Sequence, residues 1–219
     1  HLLVPHPRYL FDIAGIAPER AAPLACSGVT AYGALKKASE TLKDEPVVMI
    51  GAGGVGLMAL GLHAKMGGKR AVMVDIDPAK RDAAKKAGAD VVDGSAKDAL
   101  DQVRAATGGG SWATIDFVGA GPTVKLGVDA AIKGGKVIVV GLFGGDVVVP
   151  TPFFPIKAMT IQGSYVGSLP EIAELLDLVK RKGAPDVPVA TRPLDQVNAA
   201  LNDLRDGRIV GRVVMTPAS

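Results

Sequence analysis

Between residues 47 and 163 the chain alternates short, almost continuous apolar runs with longer stretches whose apolar residues recur every three or four positions. The first rhythm belongs to strands covered on both faces, the second to helices that bury one side. Taken in order, it predicts strand 47–50, helix 54–66, strand 71–75, helix 78–87, strand 90–92, helix 96–106, strand 113–118, helix 122–132, strand 136–140 and a sixth strand near 159–163. Strands and helices in strict alternation imply an α/β fold with a six-stranded, doubly wound parallel sheet.

The flanks follow other rules. Residues 2–10 carry Pro5 and Pro7 among apolar positions, which fits only an edge strand. A short helix is expected through Tyr32 and Leu35, ending at Lys36 and Lys37. Pro150, Pro152 and Pro155 lie so close together that no regular element is expected among them. Ser168-Leu169-Pro170-Glu171 then reads as a capping box, opening a helix with Ile172, Leu175, Leu176 and Val179 on one face. A last helix near 194–204 stops at Asp206-Gly207, and residues 211–215 read as a terminal strand.

Composition narrows the class. With 219 residues and 48% hydrophobic content the chain can bury a sizeable core. No apolar run reaches the roughly 18 residues of a membrane span, so no membrane partner is expected. The 25 basic and 22 acidic residues are interspersed and give a net charge of only +3, which argues against a nucleic-acid surface. A single cysteine, Cys26, cannot form an internal disulfide and fits a reducing cytoplasm. The chain opens His1-Leu2-Leu3-Val4-Pro5, without Met or a signal-peptide layout, so we expect a piece of a longer protein.

The chemistry concentrates where the first predicted strand breaks into glycines. Gly51, Gly53 and Gly56 stand in G-x-G-x-x-G spacing, with Gly54 and Val55 between the last two. The first glycine permits a sharp turn, the second lets a pyrophosphate approach the backbone, and the third lets the helix pack on the strand. The amino end of that helix offers unpaired N–H groups and a positive dipole to phosphate. The next predicted strand ends in Asp75, about 20 residues on, where an acid can accept hydrogen bonds from a ribose. That carboxylate would repel the extra phosphate of NADP, so the expected cofactor is NAD, held in a Rossmann fold.

Several segments together resemble one family, the medium-chain, zinc-type alcohol dehydrogenases. They are residues 23–30 (Pro-Leu-Ala-Cys-Ser-Gly-Val-Thr), the glycine loop, the Asp75-Ile76-Asp77-Pro78-Ala79-Lys80 turn, residues 136–141 and residues 207–214. The resemblance implies that residues 1–27 are the tail of a substrate domain, 28–163 the Rossmann domain, and 164–219 a return to the substrate domain. It implies a catalytic contact of Thr30 with the nicotinamide and a zinc-bound Cys26 in the intact enzyme. It further implies cofactor contacts from Ile76, Lys80, Phe117, Val118, Val140, Gly141, Leu142 and Arg212, the last toward the pyrophosphate. The implied substrate is an alcohol or carbonyl compound, and the implied assembly a homodimer or homotetramer.

Other candidates fare less well. His1, His6 and His63 are the only histidines, and none stands near Cys26 with metal-ligand spacing; His63 reads as a surface or packing residue. Tyr32 and Lys36 have the Y-x-x-x-K spacing of short-chain dehydrogenases, but they precede the glycine loop, so they read as one face of a helix. Three rival functions remain: a zinc-free reductase similar to quinone oxidoreductases, against which Cys26 counts; a nucleotide-binding or dimerising module without catalysis; and a methyltransferase, which would leave Cys26 and Arg212 unexplained.

Overall fold

The computed structural model describes residues 3–217. Two helices, α1 (Pro18–Ala21) and α2 (Ser27–Lys37), precede an alternating series: β1 (Val47–Ile50), α3 (Gly54–Lys65), β2 (Ala71–Asp75), α4 (Pro78–Lys86), β3 (Asp90–Asp93), α5 (Ala99–Thr107), β4 (Ser111–Asp116), α6 (Gly121–Ala130) and β5 (Ala131–Val139). The chain continues through α7 (Phe153–Lys157), β6 (Thr160–Gly163), α8 (Leu169–Lys182), β7 (Val189–Pro193), α9 (Val197–Arg205) and β8 (Arg212–Thr216).

Six strands form one parallel sheet in the order β3-β2-β1-β4-β5-β6, so β1 lies in the middle, paired with β2 at Val47–Ala71 and with β4 at Val47–Ala113. This is the strand order of dinucleotide-binding folds, with the change of direction between β1 and β4. The expected α/β architecture is therefore present. Alternate residues of a strand point to opposite faces, and here they enter different cores. Val47 and Met49 pack with Leu35, Leu62 and Leu175 on one side, whereas Val48 and Ile50 pack with Val72, Val74 and Val103 on the other. Helix α3 is apolar nearly all round and is correspondingly buried. Helix α2 covers its outer side and packs in turn on α8, which opens with the expected capping box: Glu171 accepts from the Ser168 amide at 2.7 Å.

Several elements differ from the sequence expectation. Helix α5 begins at Ala99 rather than 96, because Asp93 accepts from both the amide and the hydroxyl of Ser95 and holds a turn there. Strand β4 covers 111–116 rather than 113–118, and α6 stops at Ala130, where β5 begins at once. The β4–β5 pairing then slips in register near Gly134, whose φ is +81°. Three prolines do not prevent a helix: α7 contains Pro155 in its first turn, where N–H groups have no intrahelical partner to lose. The edge strand expected at 2–10 is absent among the described residues. In its place His6 caps a short 3-10 turn at Pro7–Tyr9. Strand β7, not expected, pairs in parallel with β8 to form a separate two-stranded sheet.

Candidate functional site

The glycine loop turns at the carboxyl end of β1, and the space around each glycine differs. Gly51 has φ +95°, and a Cβ there would lie 2.7 Å from Val118 Cγ2. At Gly56 a Cβ would lie 1.8 Å from the Gly51 carbonyl oxygen, so helix α3 can approach β1 only through glycine. At Gly54 it would meet Arg212 Cδ at 2.6 Å; the arginine side chain lies across the amino end of α3. Around Gly53, by contrast, nothing stands within 4 Å of the Cβ position. Gly53 is the residue that caps α3, and no side chain caps the helix. Its first turn therefore presents unpaired N–H groups toward open space.

Asp75 closes β2 beside this loop. Its Oδ2 accepts from the Ala52 amide at 2.7 Å, its Oδ1 from the Asp77 amide at 2.8 Å, and its main-chain oxygen from Arg81 at 2.8 Å. The carboxylate is thus fixed by backbone donors yet half-exposed, and it walls two cavities at once. One, of about 370 Å³, is lined by Gly51, Gly53, Gly54, Val55 and Gly56 together with Lys80, Phe117, Val118 and Phe143. The other, of about 380 Å³, lies behind Asp75 among Ile76, Leu100, Val118, Thr123 and Leu126. Lys80 stands 3.7 Å from Asp77 Oδ2. Ile76 is 69% exposed, an apolar side chain held at the cavity mouth.

Strand ends β4 and β5 make the far wall. Asp116, fully buried, accepts at Oδ1 from the amides of Val118 (2.8 Å) and Gly119 (3.0 Å), and at Oδ2 from the Thr123 hydroxyl (2.7 Å). This carboxylate draws the chain out of the strand at Phe117. Gly119 and Gly141 then pass so closely that a Cβ on Gly119 would lie 1.9 Å from the Gly141 oxygen. Leu142 and Phe143 follow, 81% and 82% exposed.

Of the residues singled out from sequence, Gly51, Gly53, Gly54, Val55, Gly56, Asp75, Lys80, Phe117 and Val118 meet at one cavity, and Ile76 lines the second. Arg212 reaches the first through Gly54. Thr30, Cys26, Val140, Gly141 and Leu142 line neither. Cys26 is exposed just before α2, where its carbonyl accepts from the Thr30 amide at 3.0 Å. Among the described residues no three His, Cys, Asp or Glu side chains come together to hold a metal. A catalytic zinc takes about three protein ligands, so the residues present do not fit that ion by themselves.

Tyr32 and Lys36 do share a helix face, and both donate to Glu174 Oε2, at 3.1 Å and 2.6 Å. Burial and that carboxylate push the Tyr32 phenol up to about 12, which suits a structural hydrogen bond. His63 is a packing residue, 3% exposed, with its pKa lowered by burial. Sequence reasoning missed Asp116, Thr123, Leu100, Leu126 and Phe143. Asp116 carried one signal, an acid at the end of an apolar strand followed by Phe-Val-Gly.

Residues 54–181 match the family described as zinc-binding dehydrogenase. Over 219 residues the chain is 33% identical to an NAD-dependent alcohol dehydrogenase of Sulfurisphaera tokodaii, covering 99% of this chain and 63% of that protein. Among solved structures, the alcohol dehydrogenase of Aeropyrum pernix superposes with a TM-score of 0.82 at 35% identity, over 90% of this chain and 58% of the other. An acetophenone reductase of Geotrichum candidum, solved in complex with NAD, gives a TM-score of 0.78 at 26% identity, over 93% and 57%. The chain thus spans less than two thirds of these relatives.

Proposed function

Because the chain belongs to the zinc-binding dehydrogenase family, we propose that it is the cofactor-binding portion of an NAD-dependent alcohol dehydrogenase. The observation that carries this reading is Asp75, a backbone-anchored carboxylate between two cavities, one of which is lined by the glycine loop. In this reading the adenosine ribose bonds Asp75, the base enters the cavity lined by Ile76 and Leu126, and the pyrophosphate lies over Gly53 with Lys80 and Arg212 as counter-charges. The open space at Gly53 and the uncapped end of α3 fit a diphosphate. Bound there, the nicotinamide ring would accept or return a hydride from an alcohol carbon. The protein's own share is orientation and exclusion of water by the strand-end loops, including Phe117, Val118, Val140, Gly141 and Leu142.

Thr30 would touch the nicotinamide from α2. Cys26 would offer one thiolate to a zinc completed by residues of a longer chain; since the residues here do not fit the ion alone, no step is routed through it. Residues 1–27 and 164–219 would belong to a second, substrate-binding domain. The isolated β7–β8 pair supports this, because two strands do not make a stable sheet by themselves. Strand β6 is a free sheet edge near exposed Ile156 and Tyr165, which favours a homodimer or a larger homo-oligomer through that edge. No helix among the described residues is long and apolar enough to cross a membrane, and the single cysteine suits a cytoplasmic setting.

Calorimetry of the chain with NAD, NADP and S-adenosylmethionine tests the reading. Binding of NAD in preference to both others is expected. Equal affinity for NADP, or binding of S-adenosylmethionine in place of NAD, would overturn it.

A further inference from the structure

Asp116 is a fully buried carboxylate that no step of the proposed function uses. Its surroundings divide into two parts. The side chain gathers three donors, the amides of Val118 and Gly119 and the hydroxyl of Thr123. The main-chain oxygen of the same residue accepts from Val140 at 2.8 Å and Gly141 at 3.1 Å. One residue thus holds the loop after β4 by its side chain and the loop after β5 by its backbone. What hangs on the side chain is specific. Val118 lines both cavities beside Asp75 and sits against the turn at Gly51, while Thr123 lines the cavity behind Asp75 and also accepts from the Ala120 amide at 3.0 Å, at the start of α6.

We propose that Asp116 is a positioning residue for the cofactor, acting on its adenosine half through Val118 and Thr123. The inference rests on the assignment of the two cavities to a dinucleotide. A hydrogen bond to a charged group in a buried site is strong, and losing it leaves amides unpaired. An asparagine removes the charge that strengthens all three bonds, and its amide side can meet the Thr123 hydroxyl only as a donor, which reverses that bond. Val118 and Gly119 would then relax toward the cavity. The main-chain oxygen is unaltered by that substitution, so Val140 and Gly141 keep their anchor, while Phe143 and Gly144, which donate to the Val118 and Gly119 oxygens at 3.1 and 3.0 Å, move with the relaxed segment. The side chain of Asp116 therefore acts on the adenosine half through Val118 and Thr123 while its backbone still holds Val140 and Gly141, a separation that a general loss of stability would not produce.

The test uses Asp116→Asn and Thr123→Val in the full chain, with AMP, NAD and NADH as probes, at a temperature where circular dichroism shows each variant folded. AMP and NAD affinity should both fall, by about tenfold for Asp116→Asn and less for Thr123→Val, as expected for one or two lost charge-assisted bonds. NADH bound at saturation should keep the wild-type emission maximum, because Val140 and Gly141 keep their bonds to the Asp116 main-chain oxygen. Unchanged AMP affinity in folded Asp116→Asn overturns the proposal, and so does a shifted NADH emission with AMP affinity retained. If Asp116→Asn does not fold, Thr123→Val decides on the same criteria. A wild-type chain that binds neither AMP nor NAD overturns the dinucleotide assignment itself, whereas binding by wild type and variants alike overturns only the role of Asp116.

Discussion

Lys65 and Lys182 each donate to the other's main-chain carbonyl, at 2.8 Å in both directions. Both stand in the last turn of a helix, α3 and α8, where carbonyls lack intrahelical partners and the dipole is negative. The pair ties the carboxyl end of the buried helix α3 to that of α8. Because Lys182 is exposed, Lys182→Ala should cost less than about 1 kcal/mol. Urea unfolding would measure this, and a larger loss would show that the lysine stem packs as well.

The half-exposed carboxylate of Asp75 faces both cavities, so its loss should be read in binding before stability. Asp75→Ala should weaken NAD binding by about 1–3 kcal/mol and reduce the preference over NADP. Fluorescence titration with both reduced cofactors provides the check; unaltered NADH affinity would count against the ribose contact.

The glycines of the loop should separate folding from binding. Gly53→Val adds a side chain where nothing stands within 4 Å of the Cβ position, so the protein should fold with little loss while the pyrophosphate is excluded. Gly56→Ala places a methyl 1.8 Å from the Gly51 oxygen and should cost more than about 3 kcal/mol as α3 is forced off β1. Thermal unfolding together with NAD titration distinguishes the two, and the idea fails if the two variants behave alike.

Val166 has φ +47°, a conformation unusual for a branched side chain. Such strain is worth about 1–3 kcal/mol, whereas introducing glycine costs about 0.5–1 kcal/mol in chain entropy. Val166→Gly should therefore raise the melting temperature. A fall would mean that the side chain contributes more by packing than its backbone loses to strain.

His63 gives the protein a pH dependence of known sign. Its Nε2 is buried without a hydrogen-bond partner among the described residues, beside Gly68, and desolvation lowers its pKa below the ordinary 6.5. Between those two values the unfolded chain binds a proton that the folded chain does not, so stability rises with pH there. Stability should be complete above about 6.5 and decline as pH falls from that value toward the lowered one. Urea midpoints from pH 7.5 to 5 would show it, and His63→Leu should flatten the slope.

Legibility of the sequence followed burial. The unit β1-α3-β2 was readable because its apolar runs are nearly unbroken and Gly51 and Gly56 stand where close packing admits no side chain. Strand β7 was not, since Val189-Ala190-Thr191-Arg192-Pro193 is half-exposed and lacks alternation. Helix α7 hid behind Pro155, which is harmless in a first turn. Phe117 and Val118 were assigned to a strand by their hydrophobicity, but the Asp116 side chain takes the Val118 amide out of the ladder. For the site, the motif residues line one cavity. The second cavity stayed hidden because its walls, Leu100 and Leu126, sit on separate helices without any shared motif.

Arg212 crossing Gly54 has a consequence for the order of events during synthesis. The glycine loop and all six sheet strands leave the ribosome before Arg212 does. At ~5–20 residues per second, the interval between Gly56 and Arg212 is on the order of ten seconds. During that time a nascent chain can fold its sheet with the amino end of α3 uncovered by the cation. The amino end of α3 is thus completed by a segment made well after the sheet. Emergence of Arg212, rather than closure of the sheet, marks the moment at which this cation can reach the amino end of α3.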